Sequence, residues 1–184
     1  QRGETMITAT EDSGDLQMEW LGINGFRFVY RGCTVLLDPY VTRDPGRLCD
    51  PDCVHRYLPT ADVVVVSHSH WDHLADVPEV ARSTGAQVIG SQTTCSICRS
   101  FGVPEDQLLQ VEAFATVRRR GFAVTFLPSL HIPDPTGGVP FAGTYERPPA
   151  RPPSERSAYL EGGTFAVLFE FGATRILDVG SANA

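Results

Sequence analysis

Apolar and polar positions alternate along residues 17–23 and again along residues 26–30, and a period of two predicts half-buried strands. Arg31-Gly32 reads as a turn, and residues 34–37 return as a strand, so the chain opens as an antiparallel meander. Asp38-Pro39 closes it, and a loop rich in Pro, Asp and Gly is expected through Pro59. Residues 63–66 are four valines in succession, the pattern of a strand buried on both faces. A helix is predicted after it. Asp76 serves as its cap, Glu79 completes a capping box, Pro78 fits the first turn and Gly85 is the stop. Residues 87–89 read as a short strand, and Thr93 or Thr94 opens a second helix that Gly102 ends. This is a β-α-β-α rhythm.

Residues 117–127, interrupted by Gly121, predict a hairpin whose second strand, 122–127, runs into Pro128-Ser129-Leu130-His131. Residues 132–163 hold seven prolines and five glycines and little periodicity; a long irregular loop inside a compact domain is functional or disordered. A last hairpin is expected from residues 165–171, the turn Gly172-Ala173 and residues 174–179. With no internal repeat, the chain divides into a polar N-terminal extension, 1–15, and one domain, 16–184, that carries 132–163 as a loop insertion. Strands, then β-α units, then strands again predict an α+β fold of packed sheets with helices outside, an αββα layering.

Composition narrows the function. The 184 residues suffice for one sizeable core. A net charge of -7 disfavours nucleic acid, whose phosphates need a basic face. The basic run Arg118-Arg119-Arg120 reads as a solvated hairpin turn. No apolar stretch approaches the ~20 residues that cross a bilayer, and residues 1–15 carry no signal-peptide pattern. The expected partner is a small molecule and the expected compartment the cytoplasm. The first residue is not Met, so a removed leader or a remnant at residues 1–5 leaves export open. The cysteine count is odd, with Cys33 alone, Cys49 and Cys53 spaced C-x3-C, and Cys95 and Cys98 spaced C-x2-C. Thiols in a reducing compartment are the simpler reading, and a four-cysteine zinc site the sharper one.

The chemistry concentrates directly after the valines, in Ser67-His68-Ser69-His70-Trp71-Asp72-His73. Three of the five histidines and a carboxylate fall within six positions at a strand end, where α/β sites form. Neutral imidazole and carboxylate are metal ligands, and no packing demand explains them. His68 and His70 alternate and so face one way on an extended segment. One metal does not readily take four ligands from six consecutive residues, whereas two metals do. We therefore expect a first site of His68, His70 and His131 and a second of Asp72, His73 and Asp178, the last two distant ligands lying after other strands. His131 also has a structural reading, and Asp178 one as a strand-closing turn residue. Asp38 is either a partner that orients a ligand histidine or a plain turn residue. His55 reads as a surface residue and Trp71 as packing.

The string His68-Ser69-His70-Trp71-Asp72-His73 resembles the H-x-H-x-D-H signature of the metallo-β-lactamase superfamily. Trp20-Leu21-Gly22 through Phe26, and Leu36-Leu37-Asp38-Pro39-Tyr40, resemble the opening of its lactonase-like branch, which includes ascorbate 6-phosphate lactonases. The resemblance runs from about residue 17 to 178. It implies an αββα sandwich and two divalent metal ions, usually Zn2+, sometimes Mn2+ or Fe2+. His68, His70, Asp72 and His73 match the motif position by position, His131 the next family histidine and Asp178 the bridging aspartate. Asp72 would also orient or deprotonate the attacking water.

Two departures stand out. Leu177-Asp178-Val179 replaces the Gly-Asp-Thr often found at the bridging aspartate. Further β-α units and a last ligand histidine, expected of the family, do not follow before Ala184. The implied fold therefore lacks its C-terminal strands and helices here, and a C-terminal piece or a second chain is expected to complete it; a homo-oligomer is a further expectation. The function these features imply is a metal-dependent hydrolase of an ester, lactone or phosphodiester. The alternatives are an iron-dependent oxidoreductase on the same scaffold and a non-catalytic fragment.

Overall fold

The computed structural model describes residues 15–119 and 121–181. The N-terminal extension read from the sequence, apart from Asp15, lies outside the described residues, as does Arg120 of the basic run. The chain opens with β1 (Gln17–Gly22), β2 (Gly25–Tyr30) and β3 (Cys33–Leu37), then α1 (Pro51–Tyr57), β4 (Val63–Val65), α2 (Trp71–Leu74) and α3 (Val77–Thr84). Next come β5 (Gln87–Gly90), α4 (Gln92–Ser100), β6 (Leu108–Gln110), the hairpin β7 (Thr116–Arg119) and β8 (Phe122–Ser129), and last β9 (Thr164–Phe171) and β10 (Thr174–Asp178).

These strands make two sheets. The first runs β1-β2-β3-β4-β5-β6, antiparallel across β1 to β3 and parallel from β3 to β6. The second is antiparallel, β10-β9-β8-β7. The valine run explains how they stack. Val64 and Val66 face one way, into a core shared with residues of all four α-helices. Val63 and Val65 face the other way, against the second sheet. Successive side chains of a strand point to opposite faces, so a strand between helices and a sheet must be apolar throughout. Among the described residues the layers are therefore helix, sheet, sheet, the α+β sandwich the patterning predicts.

The inter-sheet core is aromatic. Phe28 of the first sheet lies 5.0 Å from Phe169 and 5.4 Å from Phe171 of the second, ring centre to ring centre. Phe169 is fully buried. Phe169→Ala is expected to lower stability by about 3–5 kcal/mol in urea unfolding, since a truncated core aromatic leaves a cavity its neighbours fill only in part.

Four local expectations are corrected. The loop expected before Pro59 contains α1: Asp50 accepts from the Asp52 amide (3.1 Å) and Pro51 occupies the first turn, a start signal hidden in a Pro- and Asp-rich stretch. Asp76 precedes α3 but its side chain does not cap it. Its buried carboxylate instead accepts from the Val41 amide (2.7 Å), the Thr42 amide (2.8 Å) and the Thr42 hydroxyl (2.8 Å). Burial raises its pKa, and these donors pull the other way. Asp76→Ala should cost about 2–4 kcal/mol in thermal or urea unfolding, because each buried donor left unpaired costs roughly 1–3 kcal/mol. The cap of α4 is Ser91, which accepts from Thr94, rather than Thr93 or Thr94. The short strand β6 lacked enough alternation to be anticipated.

The segment 132–163 packs on the end of the sandwich that carries the histidines. The Glu161 amide bonds to the Phe141 carbonyl, Gly162 to Gly143, and the Ser69 amide to the Glu161 carbonyl, each at 2.9 Å. Tyr159 is buried in the helix-side core. At Gly162 (φ +73) an added Cβ would lie 2.5 Å from Cβ of Thr93, so this close approach requires glycine.

Candidate metal centre

Four strand ends deliver the site. Asp38 directly follows β3, at φ 42, a left-handed conformation that Asp tolerates, and its amide bonds to the Val65 carbonyl at 3.0 Å. Ser67, His68, Ser69 and His70 follow β4, and Asp72 and His73 lie on α2. His131 comes two residues after β8, and Asp178 ends β10.

His68, His70 and His131 come together: each offers a donor atom, and the three lie within 4.8 Å of one another. The His68 Nε2 to His70 Nδ1 distance is 3.1 Å, and the His131 ring centre stands 5.0 Å from that of His68 and 4.7 Å from that of His70. Among the described residues this is the one His, Cys, Asp and Glu group with such spacing. The cysteine pairs form no comparable cluster, and all five cysteines are free thiols. His73 stacks 3.9 Å from His68, and its Nε2 lies 4.0 Å from Asp72 Oδ2. Asp178 is not among the residues that line the cavity in front of the histidines. It is joined to the cluster through Asn24, whose Nδ2 donates to Asp178 Oδ2 and Asp38 Oδ2, both at 3.0 Å. Burial pushes the Asp178 carboxyl up to about 6.

The hydrogen bonds on the outer side of each ring assign its tautomer. His70 Nε2 faces the Pro140 carbonyl at 2.8 Å and His131 Nδ1 the Ile132 carbonyl at 2.7 Å; carbonyls only accept, so both nitrogens carry the proton. His73 Nδ1 donates to Asp38 Oδ2 at 2.8 Å. Ser67 spends its hydroxyl proton on Asp38 Oδ2 (2.5 Å) and so accepts from His68 Nδ1 (3.2 Å). Each of the four imidazoles, when neutral, therefore turns an unprotonated nitrogen inward: Nε2 of His68, His73 and His131, and Nδ1 of His70. Two such lone pairs, on His68 and His70, meet at 3.1 Å. Facing lone pairs repel and are relieved by a shared cation, so this donor set fits a divalent metal.

The charges agree. Burial, then the neighbouring imidazoles, hold His68 well below its ordinary pKa. Burial also lowers His70, against the Pro140 carbonyl. Burial presses His73 down too, but the Asp38 carboxylate overcomes it and leaves the ring above its ordinary value. Asp38 thus fixes the orientation of the His73 ring. It also accepts from the Ser67 amide at 2.8 Å.

The cavity before the rings measures ≈ 230 Å³ and is lined by the histidines, Asp72, Trp71, Pro140, Phe141 and Ser181. Asp72 is partly exposed (29% of its side chain). Trp71 packs edge-on against Tyr40 at 5.3 Å, as expected of a packing residue, and also borders this cavity. His55 is exposed and bonds to Glu79 at 2.8 Å, a surface residue as read. Ser67, Asn24 and the Pro140 carbonyl were not anticipated. A serine beside a histidine and an Asn-Gly turn carry no distinctive spacing, and a backbone carbonyl has no sequence identity at all.

A model of the beta-lactamase superfamily domain matches residues 33–140, which span β3, the histidine cluster and His131. The chain belongs to the metallo-β-lactamase superfamily. Curated relatives in this superfamily include a UPF0173 metal-dependent hydrolase of Methanopyrus kandleri, 29% identical over 63% of this chain and 47% of its own length. Another, from Pyrobaculum arsenaticum, is 30% identical over 63% of this chain and 51% of its own length. The chain thus spans about half the length of the curated relatives it matches. Among solved structures, Igni18, a metallo hydrolase of Ignicoccus hospitalis, superposes with a TM-score of 0.60 at 16% identity, over 90% of this chain and 60% of that one. CmlA, a diiron β-hydroxylase of Streptomyces venezuelae, superposes with a TM-score of 0.61 at 19% identity, over 92% of this chain and 30% of that one. At such identities the likeness is one of fold. No helix among the described residues is long and apolar enough to cross a membrane.

Proposed function

We propose that this chain carries the site of a metal-dependent hydrolase that cleaves a small ester, lactone or phosphodiester with water. The observation that carries this reading is the set of four imidazoles, each tied on its outer side to a protein acceptor and each presenting, when neutral, a lone pair inward. The Methanopyrus and Pyrobaculum relatives, both named metal-dependent hydrolases, support it.

His68, His70 and His131 would hold one divalent ion, and Asp72 and His73 a second, with Asp178 serving the second from β10; zinc is our first assignment for both. When bound, such ions acidify water to a pKa near 7 and polarise the bond to be cut. The chain supplies the rest. Asp38, through His73 directly and through Ser67 to His68, fixes two rings, and the Pro140 carbonyl fixes a third. Asp72, at the cavity edge, orients the attacking water and takes its proton. Phe141, 6.1 Å from His70 ring to ring, walls the cavity on the side of the 132–163 segment.

Elemental analysis of the purified protein together with a panel of lactones, esters and phosphodiesters tests this reading. About two zinc ions and turnover abolished by chelation are expected; full hydrolysis by metal-free protein would refute it. A second reading, an iron-dependent oxidoreductase, draws on the fold shared with the diiron hydroxylase CmlA. Iron with oxygen consumption would favour that reading, whereas zinc without oxygen turnover excludes it.

A further inference from the structure

We propose that Asn24 is a positioning residue for the second ion: its side-chain amide spans the two sheets and holds the carboxylates of Asp38 and Asp178 in the register at which that ion is bound. The inference rests on the two-ion hydrolase reading and adds to it a residue, outside the histidine motif, that governs one ion more than the other.

Asn24 sits half-buried in the tight turn between β1 and β2. Its Nδ2 donates both of its protons to carboxylates, Oδ2 of Asp38 and Oδ2 of Asp178, each at 3.0 Å. Asp38 follows β3 in the first sheet, and Asp178 ends β10 in the second. Asp38 in turn accepts from His73 Nδ1 at 2.8 Å. The amide is therefore joined to two of the groups assigned to the second ion, to Asp178 directly and to His73 through Asp38. The rings assigned to the first ion have other anchors on their outer side: the Ser67 hydroxyl for His68, the Pro140 carbonyl for His70 and the Ile132 carbonyl for His131. Of these anchors Ser67 alone also touches Asp38.

The chemistry of the amide fits this task. A primary amide nitrogen carries two donors and no charge, whereas an ammonium at the same place would neutralise the two carboxylates itself and compete with the ion. A carboxylate offers about four lone-pair sites, so Asp178, which accepts from Asn24 and from the Gly180 amide, keeps sites for a metal. The surroundings fix the amide from both ends. Ile23, just before it, holds φ 50, a left-handed conformation that is costly for a β-branched residue, and the Trp20 indole nitrogen donates to its carbonyl at 3.1 Å. On the other side Gly180 (φ +46) comes so close that an added Cβ would lie 2.9 Å from Asn24 Nδ2 and 3.2 Å from Asp178 Oδ2. A turn that only reverses the chain needs neither this strain nor a partner in the other sheet.

Stepwise titration of the metal-free protein with cobalt(II), followed by its visible absorption, reads the two ions separately and needs no substrate. The wild type is expected to bind two. In Asn24→Ala, and in Asn24→Leu, which keeps most of the volume without a donor, the affinity for the second ion should fall about 10- to 100-fold, as when a group that orients a ligand is lost, and the affinity for the first much less. Asn24→Ser keeps one donor and should fall between. A fall of both affinities by the same factor, the mark of a turn that only supports the fold, overturns the proposal, and so do affinities unchanged from the wild type. If the alanine and leucine variants do not fold, Asn24→Ser carries the test by the same ratio of affinities. A wild type that binds one ion alone refutes the two-ion reading itself and this role with it. Two ions in the wild type with an unchanged ratio in the variants refute the role of Asn24 and leave that reading standing.

Discussion

Asp38→Ala should weaken metal binding about 10- to 100-fold although it removes none of the proposed ligands, since residues that orient ligand histidines typically contribute that much. Its carboxylate is the acceptor on which two rings depend. Oδ2 receives His73 Nδ1 at 2.8 Å, the Ser67 hydroxyl at 2.5 Å and Asn24 at 3.0 Å, and Oδ1 receives the Ser67 amide at 2.8 Å. Without it, His73 is free to take the other tautomer, and Ser67 is no longer compelled to accept from His68. Alanine also leaves buried donors unpaired, so lost affinity must be separated from lost fold. Ser67→Ala makes that separation: it removes only the relay to His68 and should lower affinity by a smaller factor with little change in the melting temperature of the metal-free protein. Competition with a chromogenic chelator gives both affinities. Equal, undiminished binding in the two variants would show that Asp38 is a turn residue and nothing more.

Asp72→Ala should reduce hydrolysis by about 10²–10⁴-fold, the range of a positioned proton acceptor. The carboxylate stands beside His73 Nε2 and is the one acidic group lining the cavity that holds the three-histidine cluster. His68, His70 and His131 remain in this variant, so one ion should stay bound while the second is weakened. Asp72→Asn keeps the volume and one acceptor oxygen but cannot take a proton, and should lose rate more than metal. His70→Ala, by contrast, should lose both together, because its ring belongs to the trio itself. Activity retained in Asp72→Ala would place the proton acceptor elsewhere.

How far the site could be read from the sequence depended on how local its chemistry is. His68, His70, Asp72 and His73 share six positions after an unbroken valine run, so both their chemistry and their place at a strand end are local facts. His131 was found as a histidine just past a strand, and the pairing of β8 with β9 is what carries it to the cluster. Asp178 is tied into the neighbourhood by Asn24, a contact the sequence could not show because its partner lies in a turn 154 residues away. Asp76 was misread for the opposite reason. The spacing Asp76 to Glu79 satisfies a local capping rule, yet a fully buried carboxylate gains more from the three donors of Val41 and Thr42, which no local rule sees. The layering was legible because a strand apolar on both faces needs a partner on each. The ring tautomers were not, since half of them depend on backbone carbonyls of Pro140 and Ile132.

The most direct test of the account is anomalous diffraction at the zinc edge from crystals of the zinc-loaded protein. The account predicts a peak in contact with Nε2 of His68, Nδ1 of His70 and Nε2 of His131, with Asp38 still bonded to Nδ1 of His73. A peak bound through the opposite ring nitrogens, or zinc only at the cysteines or the surface with none in this cavity, would contradict it.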